Sequence, residues 1–200
     1  MASPAWTRRP LKSRTLAWPI RLASALAAHG VRPNHISIGS VAAAAFASLS
    51  LLGGHYIAAA VFIQLRLLCN LLDGMVAIEG GLRSASGEIY NDFPDRVSDA
   101  LILLATGYSL SLPELGWAAS LLAILTAYAR VLGGACGLPQ DFSGPMAKPQ
   151  RMAILTVACL LAPFDSRILA LALIVIIVGS AITVAARVYS MIKRLENKHD

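Results

Sequence analysis

Two runs of oxygen-bearing side chains interrupt an otherwise apolar chain. Asn70, Asp73 and Gly74 stand in the first; Gly87, Glu88, Asn91, Asp92, Asp95 and Asp99 stand in the second. Six of the chain's eleven acids fall between Asp73 and Asp99. Carboxylate and amide oxygens grouped this way suit a hard divalent cation such as Mg²⁺ or Mn²⁺. A carboxylate in such a group can also take a proton from a reacting hydroxyl. At helical spacing, Arg66, Asn70, Asp73 and Ala77 share a stripe within about 60°, and so do Glu88, Asp92, Asp95 and Asp99. Gly74 and Gly87 remove side chains beside the acids, so phosphates can approach the backbone there.

The segments that must position these groups read as membrane spans. The chain has 200 residues, of which 56% are hydrophobic and 14% charged, and its mean hydropathy of +0.65 is too high for an ordinary soluble domain. A helix crosses a bilayer with about 20 apolar residues. Ile36–Gly54 and Ile168–Ala186 are uncharged and long enough, and His55–Ala77, Gly87–Leu110, Gly116–Gly133 and the shorter Met152–Pro163 are less pure candidates. A charge at the centre of a lipid-embedded helix costs about 2.5–3.5 kcal/mol on insertion scales. Acids inside two of these segments therefore imply a metal ion, a base or a polar cavity beside them. Pairing with Arg66, Arg83 and Arg96 alone does not account for six acids and two asparagines.

The expected fold is all-α: an integral membrane six-helix bundle preceded by an amphipathic surface helix. Ser13–Ala28 mixes Arg14 and Arg21 with Leu16, Trp18, Ile20, Leu22 and Leu26, which suits a helix lying in the membrane interface. Residues 1–35 are then a basic cytoplasmic leader and interfacial helix, 36–195 the membrane domain and 196–200 a cytoplasmic tail. Met1–Arg32 lacks the directly following apolar core and small-residue site of a cleavable signal. With both termini inside, the inner loops and tails collect Arg8, Arg9, Lys12, Arg14, Arg21, Arg32, Arg83, Arg130, Lys148, Arg151, Arg187, Lys193, Arg194 and Lys198, while the outer turns hold only Arg167. The net charge of +6 is thereby assigned to topology and anionic headgroups, and no nucleic-acid partner is expected. Cys69, Cys136 and Cys159 lack metal-ligand spacing and read as unpaired thiols.

The order Asn70-x-x-Asp73-Gly74-x-x-Ala77-Ile78, eight residues, then Gly87-x-x-x-Asn91-x-x-x-Asp95 resembles the signature of the CDP-alcohol phosphatidyltransferase family. That signature reads Asp-x-x-Asp-Gly-x-x-Ala-Arg, eight residues, Gly-x-x-x-Asp-x-x-x-Asp. Arg32-Pro33-Asn34-His35-Ile36 resembles the family's Pro-Asn-x-x-Thr, and the resemblance covers most of the chain. It implies transfer of a phosphatidyl group from CDP-diacylglycerol to a small alcohol with release of CMP, dependent on Mg²⁺ or Mn²⁺. By this resemblance Asn70, Asp73, Asn91 and Asp95 fall at positions that hold two metal ions, and Asp95 is also the base. Gly74, Ala77 and Gly87 would line the CDP pocket, and Lys148 and Arg151 would hold an acceptor's phosphate. The resemblance also implies a homodimer, and the chain's small size and short loops suit a bacterial inner membrane.

Two departures stand out. Asn replaces Asp at 70 and 91, and Ile78 replaces the signature Arg. An Asn carbonyl can ligate but brings no charge. Asp92 is placed to substitute for Asn91, Asp99 and Glu88 could contribute further, and Arg66 is placed to substitute for the missing Arg. Asn34 is read as a helix N-cap with a secondary chance of ligand contact. Arg130 is read as a snorkelling anchor. The principal alternative is a catalytically weak relative that binds CDP-lipid or nucleotide. A cation transporter fits less well, because repeated halves are missing from the sequence.

Overall fold

The computed structural model describes residues 17–82 and 87–197, apart from the side chains of Glu88 and Asn91. The start of the interfacial segment (13–16), Arg83 and the last tail residues lie outside the described residues. Among the described residues the chain is all-helical, without strands. In chain order the helices are α1 (Ala17–Ala28), α2 (Pro33–Leu52), α3 (Tyr56–Glu79), α4 (Gly87–Ser109), α5 (Pro113–Ala135), α6 (Lys148–Leu161) and α7 (Arg167–Glu196). Each of the six expected spans is therefore a helix. By length and apolarity, α2, α3, α5 and α7 qualify to cross a membrane. The acids of α4 and the 14 residues of α6 keep those two below that standard.

Several boundaries differ from the sequence expectation. α7 runs ten residues past Ala186, because Arg187, Lys193 and Arg194 do not interrupt a helix and the last two favour the negative end of its dipole. α2 begins at Pro33 with Arg32 in the cap position, so Asn34 lies in the first turn and does not cap it. Proline's fixed φ and missing N–H suit the first helical position, which displaces the cap by two residues.

Small residues bring the helices together. Ser40, Ala43, Ala44, Ala47, Ser48 and Leu51 form the buried stripe of α2, which packs against both α3 and α4. Apolar surface alone cannot drive helix association in lipid, so close backbone approach through such stripes contributes much of the packing. Leu51, Ile63, Ile102, Leu103, Met152, Leu155, Leu173 and Ile176 fill the shared core. α1 docks on α3 through Ala23, against Leu72, Met75 and Val76. The outward faces of the long helices remain apolar, with Phe46, Val61, Leu121, Leu171 and Val178 all exposed. An apolar surface of that extent suits lipid contact.

α4 and α5 meet at Gly107 and Gly116. A Cβ on Gly107 would stand 2.7 Å from the Cα and N of Gly116, and backbone atoms cannot yield as a side-chain tip does. Gly107→Ala is therefore expected to destabilise the protein by about 1–3 kcal/mol, a usual cost of overpacking. Gly134→Ala, where nothing lies within 4 Å, is the control and should leave the thermal midpoint unchanged.

Candidate active site

Three helices converge where the acids of α3 and α4 meet. Asn70 on α3 donates from Nδ2 to Oδ1 of Asp95 on α4 at 2.5 Å. Ser40 on α2 donates to the Oδ1 of Asn70 at 2.7 Å. One turn away, Ser37 donates to Oδ2 of Asp73 at 3.0 Å. Asn70 and Asp73 share a helical face, so α2 braces that face while α4 supplies the facing carboxylate. The backbones of α3 and α4 approach each other little, because α2 packs against both and long side chains bridge the remaining gap.

Arg66 is the longest of those bridges. It is fully buried, and its Nη2 lies 3.3 Å from Asp95 Oδ1, 3.2 Å from the Asp95 carbonyl oxygen and 2.7 Å from Asp99 Oδ1. Asp99, 2% exposed, is shared with Arg151, whose Nη2 lies 3.2 Å from Oδ2. The other arm of Arg151 donates to Thr126 Oγ1 at 3.1 Å and to the Met146 carbonyl at 3.3 Å. Lys148, the first residue of α6, pairs with Asp95 through Oδ2. Taking these charges out of water costs several kcal/mol per ion, and only their close pairing offsets it.

A second cluster lies one turn toward the start of α4. Asp92 is held by Arg96 at 3.1 Å and by Arg130 of α5 at 2.5 Å, one arginine on each oxygen. Arg130 also donates to Gln140 Oε1 at 3.4 Å, and its guanidinium carbon stands 5.7 Å from the centre of the Phe142 ring. It thereby ties the connection between α5 and α6 to α4, a more specific task than snorkelling. α7 holds the same connection further along. Arg187 donates to the Ser143 carbonyl at 3.0 Å and the Thr126 carbonyl at 2.5 Å, and the Met146 N–H donates to Thr183 Oγ1 at 2.9 Å. Gly144 has φ +106 and sits against Thr183, where a Cβ would come within 2.5 Å. These contacts set where α6 begins and so where Lys148 enters the site.

The structure brings together Arg66, Asn70, Asp95 and Lys148 directly, with Asp73 one turn from Asn70 and Arg151 joined through Asp99. Gly74 is buried beside Asp73, Ala77 lies one turn further along α3 and Gly87 opens α4. Asn34 is exposed on the first turn of α2, and the Asn91 and Glu88 side chains lie outside the described residues. Sequence reasoning missed Ser37, Ser40 and Thr126. For the two serines a signal existed: Asn34, Ser37 and Ser40 recur every three residues, a polar stripe along an alanine-rich helix. Thr126 carried no comparable mark.

The whole arrangement corresponds to a known family. A profile of CDP-alcohol phosphatidyltransferases matches residues 31–192, well over half of the chain. The chain belongs to the CDP-alcohol phosphatidyltransferase family. Its fold agrees. Phosphatidylinositol phosphate synthase (PgsA1) of Mycobacterium tuberculosis, in complex with manganese and citrate, superposes with a TM-score of 0.77 at 22% identity, over 86% of this chain and 88% of that one. The same enzyme with CDP-DAG bound also gives 0.77, at 21% identity over 86% and 92% of the two chains. In sequence, the inner membrane protein YnbA of Escherichia coli (strain K12) is 29% identical over 137 residues, 63% of this chain. That match spans 65% of YnbA's own length.

As a family member this chain carries an altered signature. Among the described residues, no three His, Cys, Asp or Glu side chains are grouped as metal ligands. Asp73 and Asp95 offer the carboxylate oxygens that a hard cation favours. Asn70 brings an uncharged amide instead: its carbonyl oxygen accepts from the Ser40 hydroxyl and its nitrogen donates to Asp95. Both oxygens of Asp92 are engaged by arginine, and those of Asp95 by Arg66 and Asn70 on one side and Lys148 on the other.

Proposed function

We propose that this protein transfers the phosphatidyl group of CDP-diacylglycerol to a small alcohol and releases CMP. The observation that carries the reading is the meeting of Asn70 with Asp95 at 2.5 Å. It joins the two halves of the family's signature at one point on the family's fold. The bound CDP-DAG and the manganese of the phosphatidylinositol phosphate synthase structures support the donor and the metal dependence.

In the proposed step, the acceptor's hydroxyl oxygen attacks the lipid-linked phosphorus of the donor. The new P–O bond forms as the P–O bond to CMP breaks, CMP departs with the bonding electrons, and the hydroxyl proton passes to the Asp95 carboxylate. Asn70 and Lys148 hold that carboxylate from two sides, which limits its rotation and aims it at one position. Asp73 and Asp95 would hold a divalent ion, Mg²⁺ or Mn²⁺, that neutralises charge on the donor's pyrophosphate. Gly74, Ala77 and Gly87 leave room for the nucleotide beside the carboxylates. Arg66 acts from behind, fixing Asp95 and Asp99. Lys148 and Arg151, at the start of α6, are the groups we assign to an acceptor that carries a phosphate, and Asn34, exposed on the first turn of α2, is a further candidate for that contact.

The same reading places six helices across a bacterial inner membrane, with residues 36–195 as the membrane domain and both termini cytoplasmic. A homodimer in contact with membrane lipids completes the proposed assembly. The site's departures support one rival. With Asn at two signature positions and Lys148 on Asp95, a CDP-lipid-binding protein with little turnover is the second reading.

The test is CMP release by purified protein from CDP-diacylglycerol with Mg²⁺ or Mn²⁺, across a panel that includes glycerol phosphate, inositol phosphate, serine and free polyols. Metal-dependent release that requires one alcohol is expected, and it would name the product. Bound CDP-diacylglycerol with no release for any alcohol would favour the binding protein.

A further inference from the structure

We infer that the centre takes one divalent cation per chain, and that Lys148 provides the fixed second positive charge at Asp95. The inference rests on the reading above, that the site binds a CDP-linked donor. Its first support is the direction of the Asn70 amide. An ionised carboxylate only accepts hydrogen bonds, so the amide nitrogen is the end that faces Asp95. The oxygen of Asn70, its sole side-chain acceptor, is then turned to Ser40 on α2. An aspartate at 70 would set two carboxylates against each other at that spacing and call for a cation between them. The amide N–H removes that need.

The other oxygens of the centre lead to the same count. Asp95 has Arg66 on Oδ1 and Lys148 on Oδ2, and Asp92 has an arginine on each oxygen. Among the described side chains around the centre, the four carboxylates Asp73, Asp92, Asp95 and Asp99 stand with five cations, Arg66, Arg96, Arg130, Lys148 and Arg151. That set is one charge positive before any metal enters. One divalent ion brings it to a level that a pyrophosphate largely neutralises. A second would leave an uncompensated excess inside a low-dielectric site, where like charges repel strongly. One or two carboxylates together with substrate phosphates suffice to hold a single Mg²⁺ or Mn²⁺.

The test counts Mn²⁺ on the detergent-purified protein by equilibrium titration and electron paramagnetic resonance, with and without CDP-diacylglycerol. One ion per chain with the spectrum of an isolated Mn²⁺ is expected. Two ions about 4 Å apart, the usual separation in two-metal sites, would give a spin-coupled spectrum and overturn the inference. Failure to bind any ion, with or without donor, would overturn it as well. The double variant Asn70→Asp, Asn91→Asp is expected to take up a second, coupled ion, a twofold rise in stoichiometry. A monodisperse double variant that still holds one ion would remove the two asparagines as the cause. CMP release measured on the same samples separates this inference from the proposed function. One isolated ion without turnover leaves the count standing and defeats the catalytic reading, and two coupled ions with turnover do the reverse.

Discussion

Asp95→Asn is expected to lower CMP release by about 10²–10⁴-fold, the range that a positioned general base contributes, while CDP-diacylglycerol still binds. Asp95, the last residue of the signature, is the one described carboxylate that Asn70 of the first half, the α6 lysine and the buried Arg66 all address. An amide in its place keeps nearly the same shape and an oxygen for Lys148, but it cannot take up a hydroxyl proton. The check is a CMP-release assay beside donor binding measured on the same preparation. Loss of both would point to a collapsed site, in which case Asp95 organises the pocket rather than the chemistry. Unchanged release would remove Asp95 as the base and direct attention to Asp73.

Asp99→Ala is expected to be the most damaging single change to stability, at about 3–5 kcal/mol, because it breaks a buried pair by removing one partner. Arg66 is fully buried and Arg151 is 1% exposed, and Asp99 lies between their guanidinium groups at 2.7 and 3.2 Å. Without it, two cations face each other with no carboxylate between them. The thermal midpoint of the detergent-purified protein measures the effect. Replacing all three residues with apolar ones of similar volume (Arg66→Met, Asp99→Leu, Arg151→Met) should recover much of the loss, since a well-packed apolar cluster avoids the desolvation altogether. A midpoint for Asp99→Ala within 1 °C of the unmodified protein would show that water reaches the two arginines.

Much of the site was legible because helical spacing converts sequence into faces. Asn70 and Asp73, three residues apart, had to share a face of α3 if that segment was a helix, and Asp92, Asp95 and Asp99 likewise on α4. The partners were less legible, since they come from elements distant in sequence. Lys148 lies 53 residues from Asp95, and Arg151 lies 52 from Asp99. Nothing local to residues 148–151 says which carboxylate each will meet. Arg130 shows the same limit. Alone on α5 it resembles any cation near a membrane surface, yet packing directs it to Asp92, Gln140 and Phe142.

The sequence by itself determined that the chain is helical and apolar, that its acids lie on two helical stripes, and that the order of those acids marks the family. Each follows from composition or from a period of 3.6 residues, quantities that local chemistry sets. The tertiary structure decided how the charges are spent. It turned Asn70's oxygen to Ser40 and its nitrogen to Asp95, gave Asp99 to two arginines, and used Arg187, Thr183 and Gly144 to set where α6 starts. Those choices depend on which side chains from separate helices come within about 3 Å of one another. Helix packing sets that proximity, and no stretch of sequence encodes it alone.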